Sequence, residues 1–563
     1  IDLRLQTPSD PAAPLKLARP LARHNLTLQL KRIDEAFKGG VTLLPEALPA
    51  GWQAEIKPEN DTFAVSFSRP ADATAALETV RLLAVAEHGT RCRAETLEIT
   101  PQWYDPVTIS VAPVAATSEP TLLVAGQKST WVARVQRDGD DPQPVTLTFV
   151  TADAAPIRLP ESVTLPADQD AVEFEVEVLA SESLGDNQRR LVVDFRAASS
   201  HQGQEFTLTG QCAAVDVIAA PASLEVHPQE IRLSGRKDRQ QLVVTGYSKS
   251  NAIRDWTSDA KLTSADPAIA EVRGTAVFAK GNGQTQIIVE AAGQRQEIPV
   301  QVSGTELPWR TGFESEVLVA LSKQGCNSGA CHGSPSGKGM FRLSLRAFDA
   351  KLDELTLIRE DYGRRLNLMQ PEESLLLLKP LMKVSHGGGK QIKVEDEAYT
   401  ILRDWIAEGA QTDPAGTPRC VRLEVYPNAK RVLRLEAGPQ QIAAIAHFSD
   451  GTRRDVSHLV AYESSDTSVA EVNQSGLVTP HRRGEAVILV RYLEHIESVP
   501  LMFIQQIADF AWQAPPPANY IDELVNAKLL QLQYVPAPTC SDAEFLRRVH
   551  LDVAVQRRLR VLE

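Results

Sequence analysis

Residues 323–333 read "KQGCNSGACHG". They place Cys326, Cys331 and His332 within one short stretch, in a chain of 563 residues that has only 6 cysteines. The flanking sequence is helical in period. "FESEVLVALSKQG" (313–325) sets Phe313, Val317, Ala320 and Leu321 on one face, Thr311 and Glu314 match a capping box, and Gly325 is a C-terminal stop. Cys326 therefore follows directly on a helix end. Further on, "EAYTILRDWIAEG" (397–409) sets Ala398, Ile401, Leu402, Trp405 and Ile406 on one face and ends at Gly409. The segment 306–417 thus begins and ends in amphipathic helices. Trp405 reads as core and, in this arrangement, also as a pocket wall.

Outside this segment the period changes to two. "AVEFEVEV" (171–178) alternates Val172, Phe174, Val176 and Val178 with Glu173, Glu175 and Glu177, the pattern of a half-buried antiparallel strand. "RDGDDPQPVTLTFV" (137–150) carries an Asp-Gly hairpin signal, and its Asp138, Asp140 and Asp141 read as a solvated turn rather than a calcium site. An internal repeat brackets the helical segment. "LEVHP" (224–228) matches "LEVYP" (423–427), "SADPAIAEV" (264–272) matches "SSDTSVAEV" (464–472), and Arg254-Asp255 matches Arg454-Asp455. Each copy has the size of an immunoglobulin-like sandwich.

The expected fold class is multidomain, mostly all-β immunoglobulin-like sandwiches with one inserted all-α domain and a short helical C-terminus. The expected divisions are sandwiches at 1–104 and 105–216, repeat domains at 217–305 and 418–508, the helical insert at 306–417, and a linker with helices at 509–563. The linker is "APPPA" (514–518), and Ser541 with Glu544 marks the start of the last helix.

The net charge of −13 argues against nucleic acid as a partner. No run is long and apolar enough to span a membrane. Neither end carries a start or stop signal, so the chain reads as a piece of something longer. Cys92, Cys212, Cys420 and Cys540 are far apart and read as buried thiols, with a long-range disulfide as the alternative.

Two chemistries need two thiols and a histidine. Covalent heme attachment uses the thiols for thioethers and the histidine directly after the second as an axial iron ligand. Its usual two-residue spacer is four here. Zinc needs four ligands, for which Cys326, Cys331, His332 and His386 are the available set, although adjacent residues rarely share one ion. A redox or structural dithiol is the third reading.

The longer motifs "GCNSGACHGSPSGKGMFRLSLRAFD" (325–349), "GRRLNLMQPEESLLLLKP" (363–380), "HGGGK" (386–390) and "ILRDWIAEGA" (401–410) resemble the cytochrome c-like domain of large secreted planctomycete proteins. The repeats resemble bacterial immunoglobulin-like group 2 domains. "IDELVNAKLLQL" (521–532) and "PAPTCSDAEFLRRVHLDV" (536–553) resemble the start of a helical domain of unknown function found in the same proteins. The resemblance implies one covalently attached heme c on Cys326 and Cys331, with His332 as proximal ligand. It places the distal ligand after "PEES", on His386, with Met382 or an open or other site as the alternatives. Met340 and Met369 also lie in the segment, and Arg364, Arg365, Lys338 and Lys390 are candidates for the propionates.

"HGGG" also imitates an esterase oxyanion motif, but the chain contains no G-x-S-x-G nucleophile elbow. The expected function is electron transfer by a periplasmic or extracellular protein, with an unidentified redox partner and a polysaccharide or cell-surface contact through the sandwiches. The alternatives are a heme-dependent oxidase or peroxidase and an adhesive scaffold.

Overall fold

The computed structural model describes residues 3–559 apart from 7–14, 33–38, 49–50, 61, 69–79, 89–90, 100, 115–120, 139–141, 152–154 and 180–188. Asp140 and Asp141 of the expected hairpin turn, and the side chain of Cys92, lie outside the described residues. The chain is a mostly β, multidomain protein that divides into two units, Ile1–Ala219 and Ala220–Glu563.

Among the described residues the first unit holds two β cores in sequence. One gathers Leu28, Trp52, Phe63, Phe67 and Leu82. The other gathers Trp131, Leu147, Val176, Phe195 and Val217, and recruits Ala18 and Leu21 from before the expected boundary. The strand Ala171–Val178 pairs with Lys128–Arg137, and buries Val176 and Val178 while its glutamates stay exposed, as its alternation predicts.

In the second unit the two repeats form a reciprocal pair. A seven-stranded sheet runs Ser223–His227, Val243–Tyr247, Ile253–Asp255, Arg431–Arg434, His495–Ile504, Gly484–Tyr492, Ala461–Ser464, and so crosses from one repeat into the other. Asp255 of the first repeat accepts from Gln440 Nε2 (2.5 Å) and Gln441 N (2.8 Å) of the second. Asp455 of the second accepts from Gln240 Nε2 and Gln241 N of the first, both at 2.9 Å. His227 and Tyr426, which are equivalent positions, stack on each other with centroids 4.1 Å apart. Buried amide and carboxylate partners are thereby satisfied by exchange between the copies.

Around Asp455, Arg239 and His458 occupy positions whose equivalents around Asp255 are Pro439 and Ser258. This difference grips the insert. The helical segment contains α1 (Leu318–Lys323), α2 (Ala350–Glu354), α3 (Leu375–Leu378) and α4 (Glu397–Ala407). Arg239 Nη2 lies 3.2 Å from Glu397 at the start of α4. Lys323 at the end of α1 donates to the carbonyls of His458 (2.6 Å) and Gln474 (2.7 Å).

The insert is also part of the second repeat's core. Phe313, Val317, Leu377, Trp405 and Ile406 belong to the same apolar cluster as Val425, Ile488 and Phe503. Tyr492 is fully enclosed, and its hydroxyl donates to Ser315 O at 2.8 Å. The expected 306–417 and 418–508 segments therefore pack as one body.

One local expectation is overturned. Thr311 and Glu314 form no capping box. Thr311 binds Glu408 through its N–H and hydroxyl, and the N–H groups of Phe313 and Glu314 are taken by Asp413, each at 2.8 Å. The first turn ahead of α1 opens in a wider, π-helical geometry, so a carboxylate from beyond α4 reaches donors that a local cap would serve. The C-terminal helices α5 (Tyr520–Gln531) and α6 (Asp542–Leu559) form as expected, with Ser541 Oγ accepting from Glu544 N. Cys212 and Cys420 are buried free thiols, and Cys540 is also unpaired.

Candidate functional site

The end of α1 delivers the cysteine loop. Gly325 takes φ +73°, Gly325 N donates to Ser322 O (3.0 Å) and Cys326 N to Leu321 O (2.9 Å), a paired Schellman closure. The four spacer residues then fold back instead of extending. Cys331 N and Gly333 N both donate to Ser328 O at 3.0 Å, and His332 N donates to Cys326 O at 2.9 Å. Buried Asn327 ties the turn to α1 through Ser322 Oγ (2.7 Å). At Gly333 a Cβ would overlap the carbonyl oxygen of Asn327, so the close approach requires glycine. The longer spacer is thus absorbed as a hydrogen-bonded turn that returns Cys331 and His332 to Cys326.

His332 is fixed through one nitrogen. Its Nδ1 lies 3.0 Å from both Lys338 O and Phe341 O. His386, on a separate loop, is held the same way, with Nδ1 2.7 Å from Gly389 O. Anchoring Nδ1 on a carbonyl leaves Nε2 as the available ligand nitrogen in each ring, the arrangement that metal-binding histidines use. The two rings are 6.2 Å apart between centroids, with planes 19° apart. With Nε2 left free in each ring, His332 and His386 are the side chains that would hold a metal ion in this cavity.

Both rings line a cavity of about 310 Å³ that also receives Cys326 and Cys331. Its walls include Leu321, Phe341, Leu375, Leu376, Ile392 and Leu402, and its cations include Lys338, Arg364 and Lys379. An apolar cavity lined by two thiols, two imidazoles and several cations matches the needs of a heme: a flat apolar macrocycle, two vinyl groups, an iron and two carboxylates. The residues fit the group. Bound there, a heme would supply one-electron chemistry, and His332 and His386 are the residues that would hold its iron. Burial lowers the His332 pKa, which favours the neutral imidazole that ligates a metal. Burial also pushes the Cys326 thiol up to about 11.

The methionines do not line this cavity. Met340 and Met369 are largely exposed, and Met382, with φ +61°, is 48% exposed. Of the expected propionate partners, Lys338, Arg364 and Arg365 line the cavity and Lys390 does not. Trp405 is core alone: it packs against Phe313 (5.6 Å) and donates Nε1–H to Gln411 O (2.9 Å), while Leu402 from the same helix faces the cavity. The sequence reading missed Lys379, whose spacing of one turn from Leu375 and Leu376 is its only signal. It also missed Phe341, for which there is none. Among the described residues no group of three or more His, Cys, Asp or Glu side chains converges as a metal site, so the four-ligand zinc set is not assembled.

No family model and no curated protein matches this chain. Solved structures to which the chain shows some similarity include a marsupial T cell receptor, at 9% identity and TM-score 0.18 over 53% of this chain and 100% of that one. Another is the D1–D4 ectodomain fragment of ICAM-5, at 14% identity and TM-score 0.18 over 56% of this chain and 80% of that one. The D00-D0 domain of Intimin matches at 14% identity and TM-score 0.18, over 38% of this chain and 100% of that one. At these scores the likenesses carry no argument.

Proposed function

We propose that residues 306–417 form a mono-heme c-type cytochrome segment, held between immunoglobulin-like repeats, that transfers electrons to a partner protein. The supporting observation is the near-parallel pair His332 and His386, 6.2 Å apart with each Nδ1 on a backbone carbonyl, beside Cys326 and Cys331 in one cavity. Cys326 and Cys331 carry the thioethers, His332 is the proximal ligand and His386 the distal one. An iron with both axial positions filled suits electron transfer rather than oxygen or peroxide chemistry. Thioether formation by a c-type maturation system places the chain in the periplasm or outside the cell. Between Glu306 and Glu408 there are 14 Lys+Arg and 15 Asp+Glu, so partner docking does not depend on a strong overall charge of the segment.

The test is a pyridine hemochrome spectrum of the chain made with a c-type maturation system. A c-type α-band at one heme per chain is expected, with six-coordinate low-spin spectra in both oxidation states. The variant His386→Ala is expected to lose the low-spin signature, and Met382→Ala to keep it. A colourless protein from an active maturation system would overturn the assignment. Loss of the low-spin state in Met382→Ala alone would overturn the choice of distal ligand.

A further inference from the structure

Arg365 lines the cavity, yet its side chain is only 8% exposed and its terminal N–H groups are already engaged. Nη1 donates to Thr356 O (2.8 Å) and Glu360 O (3.2 Å). Nη2 donates to Met340 O (3.4 Å), Glu360 Oε2 (3.2 Å) and Asp361 Oδ2 (2.9 Å). A ligand carboxylate would have to displace these partners, and both paired acids are already at hand, so a propionate-binding role is not what this environment is built for.

What Arg365 does hold is the turn behind His332. Its guanidinium lies over the Phe341 ring at 4.8 Å, and the Phe341 ring lies 4.5 Å from the His332 ring. Met340 O, Phe341 and the bridge between Lys338 and Phe341 form one short unit, and the carbonyls of Lys338 and Phe341 are the two that hold His332 Nδ1. The turn is intrinsically weak: Gly337, Gly339 and Met340 all take positive φ, at +66°, +62° and +60°. It keeps its shape because something braces it.

We propose that Arg365 is a positioning residue for His332: it clamps the Lys338–Phe341 turn through Phe341 and Met340 O, so that two carbonyls fix the imidazole tautomer and leave Nε2 for a metal. The tautomer claim stands on the chain's own residues, and its redox consequence rests on the axial-ligand reading above. A firm Nδ1–H···O=C bond makes the imidazole a stronger donor and favours the ferric state. A loosened one raises the midpoint potential.

Two variants test this. Arg365→Lys keeps the positive charge but loses the planar fork, and Phe341→Leu keeps all charges but removes the ring between Arg365 and His332. In heme-free protein, long-range ¹⁵N–¹H spectra of the imidazoles report the tautomer. Wild type is expected to show His332 as the Nδ1–H form, and both variants to show a mixture. In heme-loaded protein both variants are expected to have a higher midpoint potential than wild type, and a broadened ferric low-spin EPR signal from scattered ring orientations. Arg359→Lys, at an exposed side chain outside the cavity, is expected to change none of these. A folded Arg365→Lys or Phe341→Leu with the wild-type tautomer would overturn the proposal, and if the first fails to fold the second gives the same reading. A colourless wild type with the expected tautomer shift would support the brace while overturning the axial-ligand reading.

Discussion

Asp455 is enclosed between the repeats, and replacing it by asparagine puts a donor where only acceptors fit. Its Oδ2 accepts from Gln240 Nε2 and Gln241 N, both at 2.9 Å, and its Oδ1 accepts from Ser457 N at 2.9 Å. Because both oxygens face backbone N–H groups, neither orientation of the substituted amide in Asp455→Asn avoids a donor facing a donor. An unsatisfied buried donor costs about 1–3 kcal/mol, and about 2 kcal/mol corresponds to roughly 30-fold faster local exchange. Hydrogen exchange of the full chain read by mass spectrometry is the assay, with the peptides containing Gln241 and Ser457 as reporters. Asp255→Asn is expected to act equivalently at Gln441 and Thr257, since Asp255 binds Gln441 N and Thr257 N in the same way.

A pH dependence separates this account from general loosening. Burial pushes the Asp455 pKa up to about 7 from an unfolded value of 3.8, against its hydrogen bonds and the Arg239 charge. An acid whose folded pKa is raised adds stability that is complete below the unfolded pKa and is lost as pH rises through the folded one. Wild type therefore gains at most about 4 kcal/mol on acidification from pH 8 to pH 4, and the Asp455→Asn chain lacks that gain. Burial holds the pKa of His458, 4.0 Å from Asp455, well below the ordinary histidine value, which favours its neutral form. The difference between wild type and Asp455→Asn should thus widen as pH falls from 8 to 5. Unchanged exchange at Gln241 and Ser457, or a difference that narrows on acidification, would refute the reasoning.

Three further outcomes are expected. Gly388→Ala sets a Cβ 3.0 Å from His386 Cε1, so the ring must move; heme content should persist while the low-spin signature weakens, checked by ferric absorbance. Asp413→Ala strips the acceptor from Phe313 N and Glu314 N and should cost about 1–2 kcal/mol, seen as a lower melting temperature of the second unit. Trp405→Ala, at a site 1% exposed, should cost about 3–5 kcal/mol, read by denaturant unfolding, with the cavity walls retained.

Much of this organisation is legible in local patterns. The alternation at 171–178, the paired repeats and the two amphipathic helices around 306–417 each follow from spacing alone, because burial on one face has a fixed period. Glycine punctuation is equally informative: Gly325 and Gly409 both end helices at φ +73° and +95°. What spacing does not carry is partnership between distant segments. The N-terminal donors ahead of α1 are met by Asp413, 100 positions away from Phe313, and no local motif announces that. Arg365 is likewise visible in sequence only as a cation near a cavity. Whether it serves a ligand or the backbone is decided by Glu360, Asp361 and the carbonyls that converge on it. The exchange between Asp255 and Gln441 is hidden for the same reason, although the repeated Arg-Asp pairs mark where it occurs.

The wall that the second repeat builds around the helical insert has a consequence for the order of assembly. Lys323 waits for His458, 135 positions later, Ser315 for Tyr492, 177 later, and Gln240 for Asp455, 215 later. Contacts of such separation close slowly and form last. A chain emerging from its N-terminus therefore presents 326–332 with the first repeat still lacking the partners that Gln440 and Gln441 bring to Asp255, and the second repeat unmade. The cysteine loop passes through an interval of easy access that ends when the second repeat arrives and locks α1 in place.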